Sequence, residues 1–492
     1  SAGPPVIDAC RMEEPTSAAI ARDPVRGSGL LGLRQVFAQA LNLTGYAVLA
    51  RLLGPSEIGV LGIALFVFTF LGTCGGAGLQ ASLIRLPDEP TSEEYRAVFT
   101  LQEAIMGVIA LLAIVAAPWI AELYGRPPAE AWLFRLVGLT LFVTSFQAIP
   151  AAMLERRLDF GKVALVEVSQ ALAYNVSVVA LVWRGWGTAS FGVALLARAL
   201  TGAALASLVR PWSARLHWDW ERARAFLRIG APLQGTALVS QLKDSITPIF
   251  IGIAAGAATV GYVQWAQTLA AGPLWASMVL SRVYLPTFAR VQRDPATLAR
   301  FVEGAVRAVH ALVAPGAVLI LALITPITVL VFGTQWLAAV PIFQILWIGN
   351  LIVPTTTAVL AFLAALGDTR TSLRFAFIWL IATWLLGVPL VLAFGGMGYA
   401  LANAGVLATN LLLFRVARAR LQFHVLPATA PVWMWAATVG VLVHVAEHAY
   451  PCTSLVQLAA YLAAGGLLYV AGLAALAPRE LRQVWEWSRG KA

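Results

Sequence analysis

Apolar stretches long enough to cross a bilayer recur along almost the whole of this chain. The short connections between them carry arginine on every second one. A hydrocarbon core about 30 Å thick asks for roughly 20 mainly apolar residues per helix, and a soluble fold has no reason to repeat that length so often. The pattern predicts an all-α polytopic membrane protein with fourteen transmembrane helices. They are expected over 30–53, 57–80, 97–120, 130–151, 163–183, 188–209, 226–254, 259–284, 302–331, 336–365, 373–394, 397–414, 430–449 and 455–477.

With fourteen spans both termini lie on one side, and the basic residues sort accordingly. Of 34 lysines and arginines, 28 fall on the terminal side. Four (Arg51, Arg126, Arg135 and Arg184) fall on the opposite side, and two (Arg198 and Lys243) lie deep in spans. Cytoplasmic connections of membrane proteins are enriched in Lys and Arg, so both termini of this multi-pass protein are expected in the cytoplasm. One missed helix would have scrambled the sorting downstream of it. The external connections are very short, as in Leu53-Gly54-Pro55-Ser56, and leave no room for a folded extracellular domain.

Only 12% of the residues are charged and 60% are hydrophobic, with a mean hydropathy of +0.79, whereas soluble domains average about 25% charged. A net charge of +10 spread over many loops makes no continuous basic stripe, which argues against nucleic acid as a partner. Cys10, Cys74 and Cys452 form neither a disulfide framework nor a metal-ligand spacing. No P-loop, nucleophile–base pair or cofactor motif stands out, so an enzyme is not expected. Residues 1–27 lack an apolar h-region and read as a disordered cytoplasmic tail.

The chain matches itself at an offset of a little over 200 residues. Leu53-Gly54-Pro55-Ser56-Glu57-Ile58-Gly59-Val60 parallels Ala255-Gly256-Ala257-Ala258-Thr259-Val260-Gly261-Tyr262. Asp88-Glu89-Pro90-Thr91 echoes Arg293-Asp294-Pro295-Ala296, and Leu158-Asp159-Phe160-Gly161-Lys162 echoes Leu366-Gly367-Asp368-Thr369-Arg370. Three matches in one order suggest two six-helix bundles, over 28–225 and 226–420, followed by a helix pair and cytoplasmic C-terminus over 421–492. Six is even, so the halves keep one orientation, as in transporters whose two bundles rock about a midplane site.

Arg51-Leu52-Leu53-Gly54-Pro55-Ser56-Glu57-Ile58-Gly59, followed by an apolar helix and Gly75-Gly76-Ala77-Gly78, resembles the polysaccharide-transport flippases of the MOP superfamily, the Wzx-type exporters. The basic connection Glu155-Arg156-Arg157-Leu158-Asp159-Phe160 fits as well. The resemblance implies a flippase for polyprenyl-(pyro)phosphate-linked oligosaccharide in exopolysaccharide or O-antigen synthesis. It implies a central cationic cavity for the head group, a coupling ion (H+ or Na+), and a polymerase and glycosyltransferases as pathway partners.

Ionisable residues inside membrane spans face a bundle interior or cavity as a rule. Arg198 is mid-span with no acid within one turn, and its planar fork suits phosphate oxygens; the alternative is a tertiary pair with Glu167. Lys243 and Asp244 form either a local ion pair or a cation for phosphate whose protonation Asp244 sets. Arg51 and Arg135, near the outer ends of their spans, either line an external mouth or snorkel to the interface. Polar stripes at helical spacing suit either a glycan passage or interhelical hydrogen bonds. They comprise Gln35, Gln39, Asn42 and Tyr46; Glu167, Gln170, Tyr174 and Ser177; and Gln264 and Gln267. His310 reads as a satisfied interior histidine, and Pro232, Pro248, Pro273, Pro315, Pro326, Pro341 and Pro354 read as kinks in long helices.

Two other functions compete. A MATE-like cation-coupled drug exporter should carry an acid deep in its first helices, and the first two spans have none. A membrane-embedded glycosyltransferase should carry acids on sizeable loops, and these loops are short.

Overall fold

The computed structural model describes residues 41–476 except Pro87, Pro128, Ala129 and Leu158. The tail over 1–27, the start of the first span with Gln35 and Gln39, and the chain end after 476 lie outside the described residues. Among the described residues there is no strand. Residues 41–52 form α1, followed by α2 (Pro55–Gly76), α3 (Leu79–Arg85), α4 (Ser92–Leu123), α5 (Ala131–Ser145), α6 (Ala148–Arg156), α7 (Phe160–Trp183) and α8 (Ala189–Val209). Then come α9 (Trp220–Asp244), α10 (Gly252–Ala270), α11 (Gly272–Val291), α12 (Pro295–Ala322), α13 (Ile324–Ile327), α14 (Val340–Asn350) and α15 (Val353–Ala365). The last are α16 (Thr369–Phe394), α17 (Gly396–Ala408), α18 (Asn410–Arg420), α19 (Val425–Ala449) and α20 (Leu455–Leu476).

Among the described residues eleven helical stretches are long and apolar enough to cross a membrane, or twelve if α5 and α6, bent by 41°, count as one. The chain is a multi-pass membrane protein. The fourteen expected spans exceed these twelve in two places. One is α1, described only over 41–52. The other is the stretch Ala237–Ala270, which the sequence pattern divides where Gly256 leaves helical geometry at φ 79°.

Local chemistry sets the helix starts at one end of the bundle. Thr91, Asp159, Asp219, Asp294 and Asp368 each accept a backbone N–H from the first turn of α4, α7, α9, α12 and α16 respectively, satisfying donors that have no partner within the helix. Asp159 and Asp368, from segments that echo each other in the internal repeat, are both N-caps of their helices. Hydrogen bonding keeps three of these acids below the ordinary carboxylate range: from the Lys162 side chain for Asp159, from the Thr297 hydroxyl for Asp294 and from the Thr371 hydroxyl for Asp368. At the same end Arg156 donates to Leu83 O, Ile84 O, Leu86 O and Asp88 O at 2.7–3.2 Å, closing the C-terminus of α3. Ion pairs Arg157–Glu89 and Arg222–Glu93 tie the connections together.

Pro273, Pro341 and Pro354, expected to kink long helices, sit in the first turn of α11, α14 and α15, where a missing N–H costs nothing. Pro232 and Pro315 fall within the bounds of the long helices α9 and α12.

The repeated motifs meet each other. A Cβ on Gly59 would lie 1.7 Å from Ala257 O, and one on Gly261 would lie 1.8 Å from Pro55 O. Positions matched in the sequence repeat therefore exchange reciprocal backbone contacts where α2 crosses α10, and only glycine permits that approach. At the capped end the same closeness recurs between Gly78 and Gly230, whose absent Cβ atoms would fall 2.1 Å and 2.6 Å from each other's carbonyl oxygens. Away from these crossings the core is aromatic. Trp265 stacks on Trp336 at 5.8 Å and meets Phe332 edge-on. The last pair, α19 and α20, packs on α12 through Ala311, Leu319, Val432, Val439 and Tyr469.

Candidate functional site

Two polar cavities open along α7, one above the other. The smaller, of about 250 Å³, lies toward the uncapped end among α1, α2, α7, α8 and α10. It gathers Asn42, Tyr46, Tyr174, Asn175, Arg198, Gln264 and Thr268. The larger, of about 510 Å³, lies toward the capped end among α2–α8. Gln80, Gln102, Gln147, Glu155, Glu167 and Gln170 supply much of its polar wall. Gln170 and Tyr174 are one turn apart, about 6 Å along the helix, so the stripe divides, Glu167 and Gln170 on the larger cavity and Tyr174 on the smaller.

In the smaller cavity Arg198 has no carboxylate within ion-pair distance among the described residues. Asn175 is held by Ala171 O at 2.8 Å and reaches Asn42 Oδ1 at 3.4 Å. That approach exists because residue 45 is glycine: a Cβ there would lie 1.8 Å from Asn175 Oδ1. The Tyr46 hydroxyl is buried without a hydrogen-bond partner among the described residues. The result is one guanidinium facing amide and hydroxyl groups across α1, α7 and α10, a donor-rich pocket for an oxyanion.

Among its described lining residues the larger cavity has two glutamates, no lysine and no arginine. Gln170 donates to Gln147 Oε1 at 2.9 Å. From α9, Gln234 donates to Thr73 O, and Gln241 donates to the Thr69 hydroxyl at 3.3 Å. Amides and hydroxyls dominate its polar wall, a surface suited to neutral hydroxylated ligands.

The structure thus brings Asn42, Tyr174, Arg198 and Gln264 together and puts Glu167 and Gln170 on the neighbouring cavity. It places the other expected residues elsewhere. Lys243 is ion-paired with Asp244, and neither lines a cavity. Gln267 donates to the Tyr399 hydroxyl at 2.5 Å. Arg51 donates to Leu330 O at 2.7 Å, beside the Trp336 indole, which donates to Ala50 O at 2.7 Å, so this arginine locks α1 onto the turn after α13. Arg135 is exposed on α5 and lines neither cavity. His310 is buried: Nδ1 accepts from the Trp433 indole at 3.2 Å, which leaves the proton on Nε2, 2.8 Å from the Thr355 hydroxyl. The sequence reading passed over Glu103, in α4, which is only 8% exposed. Its signal was an acid directly before the unbroken apolar run from Ala104, masked by its closeness to the polar start of the span.

A family model described as polysaccharide biosynthesis protein matches residues 48–341. The succinoglycan biosynthesis transport protein ExoT of Rhizobium meliloti (strain 1021) is 26% identical over 367 residues, covering 74% of this chain and 73% of that protein. The lipopolysaccharide biosynthesis protein WzxC of Escherichia coli (strain K12) is 23% identical over 337 residues, 67% of each. Among solved structures, the lipid II flippase MurJ in an inward closed conformation matches with a TM-score of 0.72 at 14% identity, over 92% of this chain and 99% of that one. An inward-facing multidrug resistance MATE transporter of the MOP superfamily gives 0.61 at 17% identity, over 78% and 94%. At such identities the structural likeness is one of fold.

Proposed function

This chain belongs to the polysaccharide biosynthesis protein family, and from that premise we propose that it flips a polyprenyl-(pyro)phosphate-linked oligosaccharide across the bacterial inner membrane. The observation that carries the reading is the cavity in which Arg198, without an acid partner among the described residues, faces Asn42, Tyr174, Asn175 and Gln264. Arg198 takes the phosphate, the larger cavity takes sugar residues, and the lipid tail stays in the bilayer. The relatives' roles as named, in succinoglycan transport and lipopolysaccharide biosynthesis, support a glycan as cargo.

Movement follows alternating access between two six-helix lobes, 28–225 and 226–420, in a fourteen-span topology with the capped end in the cytoplasm. The reciprocal glycine crossing of α2 and α10 supports a pseudo-two-fold relation between the lobes. Translocation needs no bond making or breaking, so the protein acts as a transporter rather than an enzyme, driven by H+ or Na+. A drug exporter on the same fold has less support. Among the described residues of α1 and α2 the sole acid is Glu57, whose carboxylate accepts the Gly54 N–H at 2.9 Å as a helix cap. In cells whose polymer export depends on this chain, Arg198→Ala is expected to stop secretion while protein level is unchanged. Normal secretion would refute the phosphate assignment.

A further inference from the structure

Glu103 is an acid that the proposed cargo path does not use. It sits on α4, buried, with Oε1 lacking any hydrogen-bond partner among the described residues. Its other oxygen, Oε2, is 2.8 Å from Ser145 Oγ, which is also 2.6 Å from Phe142 O. A hydroxyl owns one hydrogen and a backbone carbonyl only accepts. Both contacts are full hydrogen bonds only when the Glu103 carboxyl carries a proton and donates it to Ser145 Oγ, while Ser145 donates to Phe142 O.

The surroundings offer an ionised Glu103 nothing. The connection before α9, with Arg210, Arg215, His217 and Asp219, reaches the first turns of α4 through Trp212, Ser213 and the His217 N–H; the helices packed against α4 are α2, α5 and α9. Their charged residues are Glu57 on α2, Arg135 on α5, and Glu221, Arg222, Arg224, Arg228, Lys243 and Asp244 on α9. Along α4 itself the nearest charges are Arg96 and Glu94, and across the cavity stand Glu155 and Glu167. None of these basic groups forms an ion pair with Glu103 among the described residues. A buried carboxylate without a cation is unfavourable and takes up a proton or draws in water.

Ser145 is the last residue of α5, at the break where α5 and α6 bend by 41°, and with Gln102 it lines the larger cavity. We propose that Glu103 is the proton-binding site that couples transport to a pH gradient, loaded from the larger cavity through Ser145 and read out by the break between α5 and α6. This rests on the flippase reading for its purpose, though not for its chemistry. An aqueous proton adds to the Glu103 carboxylate, and the neutral acid fits the closed packing. Releasing it leaves a charge that takes Ser145's hydrogen away from Phe142 O and favours a break opened to water. The conformation that buries Glu103 therefore binds the proton more tightly than one that hydrates it, and a gradient biases one over the other.

Infrared spectra of the purified full chain in lipid nanodiscs at neutral pH are expected to show a carboxylic acid C=O band that Glu103→Gln removes. Ser145→Ala should shift that band without abolishing it. A spectrum that Glu103→Gln leaves unchanged overturns the proposal whatever the cargo proves to be. In vesicles carrying lipid-linked glycan, one pH unit should change wild-type transport by up to about tenfold for one coupled proton, and Glu103→Gln should move glycan with no response to the gradient. Equal responses in both proteins would overturn the coupling. If neither protein moves glycan, the flippase reading fails while the infrared result still decides the proton site.

Discussion

The smaller cavity has Arg198 as the charged group on its wall, whereas the larger one, a single turn away along α7, has Glu155 and Glu167 and no lining cation. Both walls are otherwise apolar side chains interrupted by amides and hydroxyls. An oxyanion placed in the larger cavity would meet two acids. A neutral sugar placed in the smaller one would leave a guanidinium without a counter-charge. Under the proposed function the two parts of an amphiphilic lipid-linked glycan take different places on one helix, and the parts are expected to respond to different substitutions.

The largest effect is expected from Arg198→Glu, which puts an acid on both walls. Binding of a polyprenyl phosphate to the purified protein should fall by on the order of a hundredfold, in line with losing one partner of a desolvated charge pair. Arg198→Lys should retain part of it, keeping the charge without the fork. A smaller and differently selective loss is expected in the larger cavity. Gln147→Leu with Gln170→Leu removes hydrogen-bonding groups worth about 1 kcal/mol each, so glycan-bearing lipid should bind roughly thirtyfold more weakly and polyprenyl phosphate unchanged. Loss of both ligands alike would erase the distinction between the cavities.

Lys243 sharpens the same contrast. Ion-paired to Asp244 and outside both cavities, it should be dispensable when its partner goes with it, because partly exposed pairs contribute little. Lys243→Ala with Asp244→Ala should transport within about twofold of wild type. Strong loss would bring Lys243 back as a phosphate ligand. The smallest effect lies outside the cavities. Asp159, Asp294 and Asp368 are held below the usual carboxylate range, so their contribution to stability is complete above that range and is lost as pH falls through their lowered values. Thermal unfolding of Asp368→Ala should be slightly easier than wild type near neutrality and converge with it in acid.

The parts legible in the sequence were those set by local rules. Thr91, Asp159, Asp294 and Asp368 stand just before apolar runs, where a cap belongs, and the matched glycines at 59 and 261 announced a close approach. The stripe Glu167, Gln170, Tyr174 was read as one face, and it is one face. Seven residues nevertheless span about 10 Å, enough to reach two cavities. What the sequence withheld were long-range partners. Nothing near Arg51 in the chain points to Leu330 O, 279 residues away. For Lys243 and Asp244 the sequence left two readings open, and the structure shows the local ion pair. Glu103 was hidden because it falls near the charged start of its span, and only packing shows that Ser145 and the break after α5 enclose it.

The central claim is that Arg198 carries a lipid-linked glycan through this chain. Its most direct test is the transfer of a labelled polyprenyl-phosphate-linked oligosaccharide across sealed vesicles containing wild-type protein, Arg198→Ala or no protein. The account predicts transfer with the wild type alone, and Arg198→Ala indistinguishable from empty vesicles. Equal transfer by wild type and Arg198→Ala would contradict it, and so would wild-type transfer no faster than in empty vesicles.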